Sequence, residues 1–152
     1  MTGPATPLAA DQGTREPIAE LRVPARIDHL KLIRAGVEVA ARMCGFDWLE
    51  TQDVVLAVDE ACQNIIVHGY RRDESGEIVI NLYRCDDGLR TELRDTAPRV
   101  DPDLVRPRAL GDVRPGKLGS HFMRTIMDEV EFRAAPGGGN ILEMHKRRSD
   151  IP

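Results

Sequence analysis

Long apolar runs are missing from this 152-residue chain, so it holds no segment able to cross a bilayer. The N-terminus also lacks a basic stretch followed by an apolar core. No membrane association is expected, and the cytoplasm is the expected location. Positive charge is not in excess: 21 Lys and Arg stand against 25 Asp and Glu, a formal net charge of −4. Nothing here has the basic footprint of a nucleic-acid-binding protein. Arg106, Arg108, Arg114 and Lys117 form one local basic run, and Lys146, Arg147 and Arg148 read as a solvated terminus. Cysteine is scarce. Cys44, Cys62 and Cys85 are odd in number and lack C-x-x-C spacing, which predicts reduced, half-buried thiols rather than disulfides or zinc ligands. The four histidines, His29, His68, His121 and His145, lie too far apart in sequence to suggest a metal site.

What is present fits one soluble domain: 41% of residues are hydrophobic and 30% charged. Residues 1–15, rich in Pro, Thr, Ala and Gly, read as a disordered leader, residues 16–148 as the domain, and 149–152 as a tail. Alternation predicts a strand over 18–23, and helical spacing of Ile27, Leu30, Ile33, Val37 and Ala40 or Ala41 predicts a helix over 27–43. A second helix begins near Asp47 or Thr51 and runs to His68. Strands over 77–85 and 89–95 flank the turn Asp86-Asp87-Gly88, a hairpin signal. A long loop (96–117), a third helix (118–127) and two strands joined by Gly137-Gly138-Gly139 complete the order. The expected class is α+β: a two-layer sandwich, with a mixed, mostly antiparallel sheet covered on one face by helices.

Three groups of residues carry candidate chemistry. Glu60, Asn64 and His68 recur at four-residue steps within DVVLAVDEACQNIIVHGY, so they share one helical face. That pattern alone fits either the lining of a cleft or a solvated stripe. Asn64 offers a neutral oxygen suited to Mg²⁺, which takes few protein ligands and keeps several waters. Glu60 could accept a proton from a hydroxyl attacking a phosphate. For His68, a packed, hydrogen-bonded residue near the helix end is expected, and His121 is expected only to pack. On the returning strand, Leu89, Thr91, Leu93 and Asp95 share a face, which puts a carboxylate beside core residues at the strand end. Asp95 could there accept a hydrogen bond from an exocyclic amine. Finally, GKLGSHF (116–122) opens a helix with two glycines, a plausible phosphate cradle, with Lys117 supplying charge.

The order Glu60-x-x-x-Asn64-x-x-x-His68, Asp95-Thr96-Ala97-Pro98, Gly116-Lys117-Leu118-Gly119, then MDEVEF and GGGN, resembles the anti-sigma-factor serine kinases. Those belong to the superfamily of gyrase, Hsp90, histidine-kinase and MutL ATPase domains, and the resemblance covers residues 16–148. It implies a Bergerat-type ATP site between the helices and one face of the sheet. Glu60 would be the general base, Asn64 the Mg²⁺ ligand and Asp95 the partner of the adenine amine. Gly116, Leu118 and Gly119 would contact the phosphates through their backbone, with Lys117 and Ser120 beside them and Ala97 against the base. Residues 97–117 would form a lid. The resemblance further implies a STAS-domain anti-anti-sigma protein as phosphate acceptor, a sigma factor or similar target held by the kinase, and a homodimer.

Two departures stand out. Asp95-Thr96-Ala97 occupies the place of a frequent Asp-x-Gly, and Gly116-Lys117 that of a glycine pair. Were positive φ required at 97, alanine would cost on the order of 1 kcal/mol. That substitution supports a second reading, a non-catalytic partner-switching module with a degenerate ATP site.

Overall fold

A computed structural model describes residues 16–98 and 123–149. Strand β1 is Ala19–Pro24, followed by a short 3-10 turn at Ile27–His29. Helix α1 covers Leu30–Met43 and helix α2 Trp48–Asn64. Strands β2 (Glu77–Cys85) and β3 (Gly88–Asp95) form one hairpin, and β4 (Glu129–Ala134) and β5 (Asn140–Arg147) form another. Residues 123–126 are helical ahead of β4, so the expected third helix is seen in its second half. Its first half, the expected leader (1–15) and the long loop from residue 99 lie outside the described residues.

The helices follow from their apolar spacing. Leu30, Ile33, Val37, Ala40 and Ala41 form the buried stripe of α1. Ile27, expected on that stripe, is 47% exposed. It sits in the 3-10 turn, whose tighter winding is out of phase with the helix that follows. Gly45, at φ +87, provides the left-handed stop after α1. Asp47 rather than Thr51 caps α2: its carboxylate accepts from the Glu50 backbone, and the Glu50 side chain accepts from the Asp47 backbone. This reciprocal pair is a capping box.

The strands form one sheet in the order β1-β2-β3-β5-β4. Every pairing is antiparallel, so the mixed sheet expected from the sequence is purely antiparallel among the described strands. Two of the four pairings are hairpins, which dictate that direction. One face supplies Ile78, Ile80, Leu82, Leu89, Leu93, Leu142 and Met144 to a core shared with α1 and α2. The opposite face is charged: Glu92 bonds Arg94 at 2.7 Å and Glu143 pairs with Arg133 at 2.7 Å. The cysteines are free, as expected, but Cys44 and Cys62 are fully buried and only Cys85 is part-exposed. No helix among the described residues is long and apolar enough to cross a membrane.

Asp47→Ala removes the acceptor of the capping box and should destabilise the protein by about 0.5–2 kcal/mol. Urea unfolding checks this as a lowered midpoint with unchanged slope.

Candidate functional site

Helix α2 widens where it ends. Residues Ile65–Gly69 form a π turn, in which the Tyr70 N–H donates to the Ile65 carbonyl at 2.8 Å. Single π turns of this kind occur frequently at functional sites. Arg71 and Arg72 follow with φ of 52° and 64°, in the left-handed region that non-glycine residues seldom occupy. Such backbone costs of order 1–3 kcal/mol per residue and persists only where its surroundings enforce it. The turn sets Gly69 against Ala97: a Cβ added at 69 would lie 3.2 Å from the Ala97 Cβ. This contact joins the end of α2 to the chain leaving β3.

Glu60 and Asn64 keep the shared face that their spacing predicts. Both are half-buried, and neither side chain makes a hydrogen bond among the described residues. Side chains spent on holding the core together would show such bonds. His68 differs from expectation. It is exposed and has no hydrogen-bond partner among the described residues, because the π turn breaks the four-residue step after Asn64. Beside Glu60, Asp59 is buried and accepts from Arg34 at 2.9 Å and Gln63 at 2.7 Å. It locks α2 to α1 and so fixes the azimuth of Glu60. Sequence reasoning did not single it out.

The end of β3 holds the second part of the site. Asp95 is only 8% exposed, on the core face with Leu89, Thr91 and Leu93, as the strand parity predicts. Its Oδ1 accepts from the Ala97 N–H and from Asn140 Nδ2, both at 2.9 Å. Its Oδ2 accepts nothing among the described residues. Burial pushes the Asp95 carboxyl above the ordinary range, against the two hydrogen bonds that favour the charge. A buried acceptor with one open oxygen is well made for an N–H donor from a ligand.

Three neighbours hold that carboxylate in place. Asn140 pairs with Asp95 in the sheet register and also donates to the Ala97 and Pro98 carbonyls at 3.3 Å. Gly139, at φ +89, passes so close that a Cβ there would sit 2.0 Å from the Asp95 carbonyl oxygen. The Tyr70 hydroxyl donates to the Glu77 carbonyl at 2.7 Å and accepts from the Thr96 N–H at 2.8 Å. A cleft of about 510 Å³ opens here, with Gly69, Tyr70, Thr96 and Ala97 in its walls. Asn140 was visible in the sequence as the residue after three glycines, but its role was not. Only the β3–β5 register sets it opposite Asp95.

Ala97 is buried and its φ is not positive. The strain that alanine could have brought is therefore absent, and its methyl fills the space left by Gly69. Gly116, Lys117, Leu118, Gly119 and Ser120, together with His121, lie outside the described residues.

Along the helix axis, Glu60 stands nine residues before Gly69, roughly 13 Å at 1.5 Å per residue. The arrangement offers an amine acceptor at one end and a carboxylate and an amide along the helix toward the other. Asp95→Asn separates ligand reading from folding. The amide oxygen can accept both existing bonds, while its NH₂ turns a donor toward the ligand. ATP affinity should fall about 10–100-fold, the cost of a lost acceptor facing a donor. Because the native carboxyl has a raised folded pKa, its ionisation costs stability as pH rises from about 3.9 through that folded pKa. Asp95→Asn should thus match or exceed the native melting temperature at neutral pH and lose any such advantage near pH 3, measured by scanning calorimetry.

Comparison with known proteins identifies the family and the fold. The model of the histidine kinase-like ATPase domain matches residues 23–146. The serine-protein kinase RsbW of Bacillus subtilis is 32% identical over 127 residues, covering 78% of this chain and 79% of that protein. The RsbW of Halalkalibacterium halodurans is 28% identical over 126 residues, covering 78% and 76%. Among solved structures, the RsbU and RsbW domains of a Mycobacterium tuberculosis protein superpose with a TM-score of 0.56 at 20% identity. That match spans 88% of this chain and 34% of the other, and shows the shared fold. By the family match over residues 23–146 and the 32% identity to the Bacillus subtilis kinase, the chain belongs to the histidine kinase-like ATPase domain family, and within it to the RsbW serine-protein kinases.

Proposed function

We propose that the protein is an ATP-dependent serine kinase that phosphorylates a STAS-domain anti-anti-sigma protein and holds a sigma factor or similar target, exchanging one partner for the other. The observation that carries this reading is the pairing of two features. Among the described residues, Asp95 presents an open, buried acceptor oxygen, and Glu60 and Asn64 stand half-buried and unbonded along the helix that touches its turn. Adenine would lie at Asp95, with its amine donating to Oδ2. The phosphates would extend along α2, and Gly116, Lys117, Leu118, Gly119 and Ser120 are the residues proposed to contact them.

In this reading the serine hydroxyl oxygen attacks the γ-phosphorus while Glu60 accepts its proton. The bond to the β–γ bridging oxygen breaks and ADP leaves with the electron pair. Asn64 fits a Mg²⁺ ion: its amide is unpaired among the described residues, and one neutral oxygen leaves the other positions to phosphate and water. Such an ion would supply charge neutralisation on the phosphates. A homodimer in the cytoplasm is the expected state. The non-catalytic reading drew on Ala97, whose backbone conformation gives it no support.

Two substitutions test the assignment. Glu60→Ala should retain ATP but lose phosphotransfer to the STAS-type acceptor by ~10²–10⁴-fold, the usual worth of a positioned base. Unchanged transfer would remove Glu60 from this role. Asn64→Ala should weaken Mg·ATP binding itself, seen as loss of the Mg-dependent rise in melting temperature expected of the native chain. No rise in the native chain would leave a docking module without nucleotide.

A further inference from the structure

The charged face of the sheet carries a second cluster, at the end away from Asp95. Cys85 closes β2, Asp87 lies in the two-residue turn to β3, and His145 is on β5. Alternation places Cys85 and His145 on the face opposite the core. The Cys85 sulfur, an Asp87 oxygen and a His145 nitrogen lie within 4.8 Å of one another. Asp87 Oδ1 is 2.9 Å from His145 Nε2, and the other ring nitrogen, Nδ1, is 3.2 Å from Glu129 Oε2. Arg147 donates to Asp87 Oδ2 at 3.1 Å and to Glu129 Oε1 at 3.2 Å.

We propose that Cys85, Asp87 and His145 form a site for one zinc-class divalent cation, with Glu129 as the carboxylate behind the histidine. The donor set points to this class. Thiolate, imidazole and carboxylate together suit Zn²⁺ and its neighbours, whereas Mg²⁺ and Ca²⁺ take oxygen ligands. The Glu129 contact is a separate observation with the same meaning. A metal-bound histidine almost always gives its other nitrogen to a carboxylate or carbonyl, which fixes the ring and its tautomer. Asp87 is likewise oriented: Arg147 engages Oδ2, leaving Oδ1 turned to the imidazole. Three protein ligands leave a fourth position for water, as in open zinc sites. A plain polar network also accommodates the Cys85 thiol, which is hydrogen-bonded to His145; what singles out this cation class is the soft sulfur donor beside the imidazole and the carboxylate.

The site is independent of the nucleotide. Seven residue steps of β3 separate Gly88 from Asp95, about 24 Å at 3.4 Å per step, and the two sites use opposite faces of the sheet. A cation here would tie the β2–β3 turn to β5, with β4 behind it. Sequence spacing had argued against a metal site built on cysteines or histidines. Cys85 and Asp87 lie two residues apart, but His145 is distant along the chain and only the β2–β3–β5 register brings it to them.

The test is a titration of the full chain with Co²⁺ and Zn²⁺. One Co²⁺ per chain should bind and produce a thiolate-to-cobalt charge-transfer band. Of the three cysteines, Cys44 and Cys62 are buried, so the band should vanish in Cys85→Ser. Zn²⁺ should displace Co²⁺ and raise the melting temperature of the native chain, and Glu129→Gln should weaken Zn²⁺ binding about 10–100-fold while keeping the band. Stabilisation by Mg·ATP should be the same in Glu129→Gln as in the native chain. The absence of a saturable one-to-one site, or a band that survives Cys85→Ser, would overturn the proposal. Should Cys85→Ser fail to fold, Glu129→Gln decides: unchanged Zn²⁺ affinity there counts against the site.

Discussion

A carboxylate buried at the end of a strand is the constraint around which the site is arranged. Asp95 has no cation beside it in the sheet, and an ionised group taken out of water is costly unless hydrogen bonds replace its hydration. Two such bonds reach Oδ1, from the Ala97 backbone and from Asn140. They require the Asp95–Asn140 register, and that register requires glycine at 139, where any side chain would strike the Asp95 backbone. The Tyr70 hydroxyl then ties Thr96 to the start of β2. Each element serves to keep one oxygen satisfied and the other available.

Helix α2 serves two purposes with two faces. Val54, Ala57, Val58, Ala61 and Cys62 pack into the core, while Asp59 pairs with Arg34 of α1. The packing sets the azimuth at which Glu60 and Asn64 emerge half-buried, without hydrogen bonds among the described residues. The π turn then lowers Gly69 onto Ala97, so that the helix carrying Glu60 and Asn64 touches the turn that follows Asp95. The left-handed residues Arg71 and Arg72 are the local cost of that turn. In a two-layer fold, this is how a groove between helices and sheet acquires fixed ends.

Much of this was legible in the sequence where the signal is local. Strand parity alone placed Asp95 among core residues, four-residue spacing placed Glu60 with Asn64, and the three glycines marked a hairpin whose residues all adopt positive φ. What was not legible depends on distance or on small departures from regularity. A helical pattern does not reveal that its last turn is π-wound, so His68 was assigned to a stripe that the structure ends at Asn64. Asn140 bonds Asp95 across 45 residues and Tyr70 bonds the adjoining Thr96 across 26, through pairing that no single segment encodes. The Cys85, Asp87 and His145 cluster is the same case, assembled from two strands and a turn.

The central claim is that Asp95 reads the exocyclic amine of adenine. Its most direct test is the affinity of the native protein for ATP against inosine triphosphate, which carries a carbonyl where adenine carries the amine, measured by calorimetry at equal Mg²⁺. The account predicts that ATP binds about 10–100-fold more tightly, because a carbonyl would face the open Oδ2 acceptor with no proton between them. Equal affinity for the two nucleotides would contradict it.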